Sequence, residues 1–274
     1  MNELSLFSGA GGGLLATKHL LGWNTIGYVE WEDYRQKVIA QRIKDGFLDD
    51  APIFGDIETF ISDGYAESYK GLVDVITAGF PCQPHSVAGK QLADKDHRDK
   101  WPETARVISI VRPKSVLLEN VPGIKKYLPL VIRDLRRIGY TVREPRIIAA
   151  AHLGAGHIRR RVWVYAHLDE ARRQDAPGGA TSQKIKNKWG PIGMGDSKKI
   201  PTNPYAMRKL QQERSIKNVR RWACNCSWWE TEPDVVRVVY GCPNGVDRIG
   251  SLGDIQIPIV AATAWKILTG EYNG

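Results

Sequence analysis

The sequence has no long hydrophobic run, and none of its apolar stretches approaches the roughly 20 residues that a membrane-spanning helix needs. Nor does it begin with a charged segment followed by a long apolar one, as a secretory signal peptide does. We therefore expect an intracellular protein without a membrane partner.

Cysteine is scarce as well. The four cysteines, Cys82, Cys224, Cys226 and Cys242, are too few and too unevenly placed in a chain of 274 residues for a disulfide framework. Cys224 and Cys226 form a C-x-C pair, and no second pair of ligands follows at the spacing of a zinc finger. A zinc site is therefore disfavoured, and we expect no bound metal.

Positive charge, by contrast, is abundant and unevenly placed. Of the formal charge of +9, a net +8 lies in residues 167–222, where thirteen Lys or Arg face five acidic residues. A polyanion is the natural partner of such a segment, because each phosphate that Lys or Arg neutralises releases condensed counterions. A solvated charged linker explains the same composition equally well.

The start of the chain has the pattern of a cofactor site. Residues 3–7 favour a strand, residues 8–13 a glycine turn, and residues 14–21 a helix. This order is typical of a doubly wound α/β sheet, where glycines let a ligand approach the backbone at a helix N-terminus. The next predicted strand ends at Glu30, whose carboxylate can bind the two hydroxyls of a ribose. We therefore expect an adenosine-bearing cofactor.

The residues around this turn narrow the choice of cofactor. A dinucleotide fingerprint would need a small residue at position 14, and Leu14 is too large for the close packing that residue serves. Trp31 would stack on an adenine face or pack in the core. Asp56, in a short predicted strand over residues 52–57, would accept a hydrogen bond from the adenine amine or cap the next helix. A structural tight turn remains the alternative to a cofactor site.

A cysteine follows the next predicted strand. The apolar residues 72–78 favour a buried strand, and residues 79–89 continue as Gly-Phe-Pro-Cys-Gln-Pro-His-Ser-Val-Ala-Gly. Cys82 is therefore expected just past the carboxyl end of a strand, where open α/β sheets bind ligands. Pro81 and Pro84 stiffen the backbone around its thiol. Taken alone, such a cysteine is more often a small buried hydrophobe than a nucleophile.

Two further strands carry charged residues of interest. Glu119 ends another predicted buried strand, at the same edge of the sheet as Cys82. A buried glutamate without a partner is costly, which favours chemistry over packing. In the strand predicted over residues 157–165, alternation puts Arg159 and Arg161 on one face, an arrangement typical of clamps for phosphate or carboxylate.

The remaining regular patterns are simpler. They predict helices over residues 101–111 and 128–138, a strand over residues 140–151, and a C-terminal helix after Pro258 in the apolar stretch 255–268.

Four motifs in this order resemble the C5-cytosine DNA methyltransferase family. They are Phe7-Ser8-Gly9-Ala10-Gly11-Gly12, Gly79-Phe80-Pro81-Cys82-Gln83, Glu119-Asn120-Val121 and His157-x-Arg159-x-Arg161. The likeness spans residues 4–164 and resumes from about residue 228 to residue 268. It implies a doubly wound, Rossmann-like methyltransferase sheet with a small target-recognition domain.

The resemblance also implies how the chain is divided. Residues 1–166 and 247–274 would form one discontinuous catalytic and cofactor-binding domain, whose C-terminal helix packs back on the N-terminal part. Residues 167–246 would form a small basic target-recognition domain, so the positive charge would meet a duplex.

The chemistry of the family implies a role for each catalytic motif. The Cys82 thiolate would add to C6 of cytosine, making an enamine that attacks the methyl group of S-adenosylmethionine. Glu119 would hold or protonate N3 of the ring, Arg161 would contact O2, and Arg159 would support the site. A base would then remove the C5 proton, and elimination would free the cysteine. The target base must be flipped out of the duplex, with residues 83–100 as the lid.

By the same resemblance, ten residues would form the site for S-adenosylmethionine. They are Phe7, Gly9, Gly11, Glu30, Trp31, Asp56, Ile57, Pro81, Asp254 and Ile255. Two positions depart from the family. Asp254 replaces the usual Asn and puts a negative charge near the expected cofactor carboxylate, and Ser5 stands where an Asp often precedes the first motif.

Together the motifs predict a DNA (cytosine-5-)-methyltransferase that binds double-stranded DNA as a monomer. The expected setting is the cytoplasm of a prokaryotic or viral-type system, at the nucleoid through DNA, with a separate restriction endonuclease as candidate partner. The nearest alternative is the same chemistry on RNA. A catalytically silent nucleic-acid-binding subunit is suggested by Asp254, and a dinucleotide-dependent oxidoreductase is disfavoured by Leu14.

Overall fold

The computed structural model describes residues 1–81, 99–168 and 254–271. In these residues one sheet contains β1 (Asn2–Leu6), β2 (Asn24–Val29), β3 (Ile53–Phe54), β4 (Val75–Ala78), β5 (Ser115–Asn120), β6 (Tyr140–Val142), β7 (Arg146–Ala149) and β8 (Arg160–Leu168). The strand order is β3-β2-β1-β4-β5-β8-β6, and β7 also pairs with β8.

The sheet has a crevice between β1 and β4. Strands β1 to β5 pair with one another in parallel, whereas β8 runs antiparallel to β5, β6 and β7. The chain winds outward from β1 to β3 and then returns to start β4 on the other side of β1. Because the direction of winding reverses there, a crevice opens at the carboxyl ends of the two strands. The predicted doubly wound α/β sheet is confirmed.

Helices connect the strands and cover the sheet. Within the described ranges they are α1 (Gly12–Leu15), α2 (Asp33–Lys44), α3 (Ile57–Ser62), α4 (Tyr65–Ser68), α5 (Trp101–Val111), α6 (Leu128–Arg137) and α7 (Pro258–Thr269). A π-helical turn (Ala16–Leu20) continues α1, and 3₁₀ turns occupy Pro122–Lys126 and Ala150–Leu153. None of the helices in this part of the chain is long and apolar enough to cross a membrane.

The ends of the helices follow from local chemistry. The helix predicted over residues 101–111 is α5, with the same bounds. It ends because Arg112 takes a left-handed conformation with φ 55 and because Pro113, which cannot continue a helix, comes next. Helix α7 begins at Pro258, since a proline at the first helical position lacks only an N–H that would have no helical partner.

Two strand predictions are wrong in their bounds. The single strand predicted over residues 140–151 is split into β6 and β7, because Pro145 lies between them and has no N–H to donate to a ladder. The strand predicted over residues 157–165 starts late, as β8, because Arg159 has a positive φ of 26. Arg159 is therefore outside the regular alternation that the sequence suggests.

Helix α7 covers one face of the sheet through an aromatic cluster. Trp265 is 4% exposed, and its ring meets Trp23 edge-on with centroids 4.5 Å apart and Tyr165 with centroids 5.4 Å apart. The same core cluster includes Leu117 of β5 and several alanines of α7. Residues from both ends of the described chain thus share one core.

Replacing Trp265 with Ala is expected to lower the free energy of unfolding by about 3–5 kcal/mol, the usual cost of deleting a buried aromatic side chain. Urea denaturation followed by circular dichroism measures this loss. Ile267→Ala, on the same helix but 39% exposed, is the control and should cost about 1 kcal/mol or less. Equal losses of unfolding free energy in the two variants would contradict the stabilising role of the buried Trp265 side chain.

Strand β1 carries a buried carboxylate. Glu3 is 1% exposed, and the hydroxyls of Thr17, Thr25 and Thr77 donate hydrogen bonds to it at 2.6, 2.9 and 2.6 Å. Burial nevertheless raises the pKa of Glu3 above the ordinary value of 4.5, and nearby Asp49 adds to the rise, whereas the three hydroxyls oppose it.

This raised pKa predicts a pH-dependent stability. Protonated Glu3 contributes its full stability below pH 4.5, the ordinary value, and the contribution is lost as pH rises through the higher pKa of the folded state. Glu3→Gln has no proton to lose, so its free energy of unfolding should rise relative to wild type between pH 4.5 and neutral pH. Urea denaturation at several pH values tests this, and parallel pH profiles would contradict it.

Candidate active site

The crevice contains a cavity of about 850 Å³, within the range of roughly 300–1,000 Å³ that small-molecule sites occupy. Eleven of the predicted site residues line it: Phe7, Gly9, Glu30, Trp31, Asp56, Ile57, Pro81, Glu119, Arg161, Asp254 and Ile255. The predicted cofactor and catalytic residues of the described chain are therefore largely gathered at one place.

The glycine turn after β1 lines the cavity, but not with every glycine that the sequence predicts. Phe7 and Gly9 have positive φ angles of 54 and 59, which turn the backbone sharply at the end of the strand. Gly11, with φ 92, forms the N-cap of α1 and does not line the cavity. The structure instead brings Gly12 and Gly13 to the cavity wall.

Glu30 lies at the tip of β2 and is held by backbone donors. The Gly9 N–H donates to Oε2 at 2.7 Å, and the Glu32 N–H donates to Oε1 at 3.0 Å. The Glu30 side chain is 5% exposed, and burial raises its pKa, although both backbone hydrogen bonds oppose the rise. Each carboxylate oxygen keeps a further lone pair with which it can accept from a ribose hydroxyl.

Trp31 and Asp56 resolve two alternatives that the sequence leaves open. Trp31 is 73% exposed, so it does not pack in the core, and its ring is available to a planar ligand at the cavity edge. Asp56 caps α3, because its Oδ1 accepts a hydrogen bond of 3.2 Å from the Glu58 N–H. Asp56 also lines the cavity, so the capping role and a ligand contact are compatible.

A buried ion pair lies at the other side of the cavity. Glu119 near the end of β5 is opposite Trp163 of β8, and Arg161, two residues from Trp163 on the same strand, reaches it diagonally. The Arg161 Nε atom is 2.7 Å from Glu119 Oε1. Glu119 is 8% exposed, and burial raises its pKa, opposed by Arg161, Arg159 and a hydrogen bond from Gln256. A carboxyl group with a raised pKa is suited to hold a proton for a ring nitrogen.

Arg159 acts away from the cavity wall. Its guanidinium donates a hydrogen bond to the carbonyl oxygen of Ile255, in the segment that leads into α7. Arg159 and Arg161 both lower the pKa of Glu119, but they make different contacts. Arg161 pairs with Glu119 in the cavity, and Arg159 fastens the C-terminal segment behind it.

Asp254 has a partner that the sequence does not indicate. Its Oδ2 atom is 2.7 Å from Nη2 of Arg35, which lies on α2 and also pairs with Glu32. The negative charge that departs from the family pattern is therefore balanced by a positive one. Arg35 lines the cavity as well, and no local motif marks it, because it is 219 positions from Asp254 in the sequence.

The predicted nucleophile Cys82 and residues 83–98 of the predicted lid lie outside the described residues. The chain just before them is well anchored. Asn120 donates from Nδ2 to the Phe80 carbonyl oxygen at 2.8 Å, and Pro81 lines the cavity. The residues of the Gly-Phe-Pro motif that directly precede Cys82 therefore form part of the cavity wall.

The strand order and the crevice between β1 and β4 define a doubly wound α/β sheet with a ligand site at the carboxyl ends of its strands. A crystal structure described as a DNA modification methyltransferase encoded within an Escherichia coli prophage shares the fold, with a TM-score of 0.50 and 24% identity over 63% of this chain and 48% of that one. Comparison of sequences narrows the class. The C-5 cytosine-specific DNA methylase family model matches residues 1–247, and the chain belongs to that family.

Curated relatives are bacterial enzymes of type II systems. The chain is 30% identical over 173 residues to the type II methyltransferase M.NgoMIV of Neisseria gonorrhoeae, covering 61% of this chain and 52% of that protein. It is 32% identical over 173 residues to the type II methyltransferase M.HpaII of Haemophilus parainfluenzae, covering 59% and 44%. The matches thus span about half the length of these relatives.

The ion pair between Arg35 and Asp254 yields a test by double-mutant cycle. Arg35→Ala should weaken the binding of S-adenosylmethionine by about threefold to fivefold, because an unbalanced Asp254 charge at the cavity wall disfavours a ligand that carries a carboxylate. Adding Asp254→Asn to this variant should restore the affinity, and Asp254→Asn alone should change it little. Isothermal titration calorimetry measures the three dissociation constants. A double variant as weak as Arg35→Ala would contradict charge balance and indicate that Arg35 itself contacts the cofactor.

Proposed function

We propose that this chain is a DNA (cytosine-5-)-methyltransferase that transfers a methyl group from S-adenosylmethionine to C5 of a cytosine flipped out of duplex DNA. The observation that carries the proposal is the buried pair of Glu119 and Arg161 in the same cavity as Glu30 and Trp31. One end of the cavity suits an adenosine, and the other suits a heterocycle with an acceptor nitrogen.

The residues present fit S-adenosylmethionine. The Glu30 carboxylate, oriented by two backbone N–H groups, supplies paired acceptors for a ribose diol. The exposed ring of Trp31 offers a stacking surface for adenine, and Asp56 and Ile57 lie at the same cavity wall. When bound, the cofactor supplies an electrophilic methyl group.

The proposed chemistry assigns one task to each protein group. The Cys82 thiolate adds to C6, and Glu119 delivers a proton to N3, so that C5 becomes an enamine carbon able to take the methyl group. A base removes the C5 proton, elimination of the thiolate restores the aromatic ring, and N3 returns its proton to Glu119. Arg161 keeps the carboxyl oriented and contacts O2 of the base, and Arg159 supports this arrangement from behind through Ile255.

Glu119 is suited to this task by its surroundings. It is buried at the cavity, and that burial raises its pKa, which makes the carboxyl a better proton carrier than an exposed glutamate. Two arginines oppose the rise, so the proton can be given up when a basic ring nitrogen approaches. The family motif and the local electrostatics therefore support the same role.

The proposal extends to the nucleic acid and to the division of the chain. Residues 1–166 and 247–274 form the catalytic unit, and residues 167–246 form the unit that recognises the target. The excess of positive charge in residues 167–222 supports a phosphate-rich partner. We also propose a monomer with a separate restriction endonuclease as its companion, in keeping with the type II names of its relatives.

The decisive experiment incubates the purified chain with methyl-labelled S-adenosylmethionine and either duplex DNA or transfer RNA. We expect 5-methylcytosine in DNA. Cys82→Ser should retain binding of cofactor and DNA but fall below about one-thousandth of the wild-type rate, the scale on which loss of a nucleophile acts. A duplex containing 5-fluorocytosine should form a covalent complex with wild type and none with the variant. Label only in RNA would overturn the choice of substrate, and full activity of the variant would remove Cys82 from the mechanism.

A further inference from the structure

The segment of residues 254–257, here termed the strap, crosses the glycine turn at very close range. A Cβ atom at Gly12 would overlap the backbone oxygen of Gln256, and one at Gly13 would lie 2.5 Å from the Gln256 side-chain oxygen. A Cβ at Gly12 would force the backbone of the strap to move, whereas one at Gly13 would displace the end of the Gln256 side chain. The two glycines of the first motif therefore set where the Gln256 side chain can go.

The strap is fastened on both sides of Gln256. Arg159 donates to the carbonyl oxygen of Ile255, and Arg35 pairs with Asp254 at 2.7 Å. On the other side, α7 begins at Pro258 and is packed into the core. A side chain carried by backbone fixed in this way loses little freedom when it makes a hydrogen bond, so its contact is well defined.

The Gln256 side chain reaches the carboxyl group of Glu119. Its amide donates a hydrogen bond to that group. The Gln256 Nε2 atom and the Glu119 Oε2 atom both lie 3.3 Å from where a Cβ of Gly79 would be, so the two groups meet above the end of β4. Both residues line the cavity. Glu119 is thus held by Arg161 from β8 and by Gln256 from the strap.

The chemistry of an amide suits this position. The charged groups acting on Glu119 in the described chain are Arg161 and Arg159, and both favour its ionised form. Gln256 adds a directed hydrogen bond without adding charge. An amide can donate to an ionised carboxylate or, after rotation, accept from a protonated carboxyl, so it can support Glu119 in either protonation state.

We propose that Gln256 is a positioning residue for Glu119, which holds the carboxyl group towards the target base and ties its orientation to the strap that borders the cofactor crevice. The assignment rests on the proposed function. It adds a residue outside the four catalytic motifs, since Gln256 comes from the chain just before α7.

The first test compares Gln256→Met with wild type. Methionine has nearly the same length but cannot donate a hydrogen bond, so kcat should fall about tenfold, as expected for the loss of a hydrogen bond to a carboxylate. The dissociation constant for S-adenosylmethionine should stay within about twofold of wild type. Ile257→Met is the matched control, because it changes a strap residue that packs in the aromatic core cluster, and its kcat should be nearly unchanged.

The second test measures the pKa of Glu119. Because the Gln256 hydrogen bond lowers the pKa of Glu119, its removal should raise that pKa. The limb of the kcat profile that Glu119 controls should then move to higher pH, whichever protonation state is active. Carbon-13 NMR titration of the Glu119 carboxyl, assigned by its absence in Glu119→Gln, should move in the same direction in the free protein.

These readouts separate the two proposals. A wild-type chain that transfers no methyl group to DNA would contradict the proposed function, while the NMR titration would still report on the contact between Gln256 and Glu119. An unchanged Glu119 titration in Gln256→Met would overturn the positioning role. So would a loss of activity that is explained entirely by weaker cofactor binding, because Gln256 would then be a cofactor ligand.

Discussion

The active-site end of the sheet depends on the stabilisation of one buried carboxyl group. Glu119 is 8% exposed, and an isolated charge at that depth would cost several kcal/mol. Strand β8 meets this demand because it runs antiparallel to β5 and brings Arg161 to 2.7 Å from the carboxylate. Arg159 fastens the strap, and Gln256 of the strap completes the surroundings. Elements far apart in sequence are therefore held together around a single ionisable group.

On the cofactor side of the crevice, acidic side chains are likewise held by partners from the protein itself. Glu30 is oriented by the N–H groups of Gly9 and Glu32, and Asp254 is balanced by Arg35. The protein itself therefore sets the orientation of both acids, and a ligand need not supply it. Asp254 therefore does not stand at the crevice as an unbalanced charge, since Arg35 lies 2.7 Å from it.

Much of the fold could be predicted because its signals are local. The apolar periodicity of residues 101–111 predicts α5 with the observed bounds, and the apolar runs that stop at Glu30 and Glu119 predict the ends of β2 and β5 to within one residue. The predicted strand bounds are wrong where a single backbone angle, or a proline without an N–H donor, ends a strand. Arg159 delays the start of β8 through its positive φ, and Pro145 divides a predicted strand into β6 and β7.

The sequence by itself determined the family, the doubly wound sheet and eleven of the residues that line the cavity, because glycine stereochemistry, strand periodicity and motif order are properties of short segments. Only the tertiary structure decided which partners those residues have. The pairing of Arg35 with Asp254 spans 219 positions, and the contact of Gln256 with Glu119 depends on how closely the strap crosses Gly12 and Gly13. Such contacts arise from the packing of distant elements in three dimensions, which no local pattern of residues specifies.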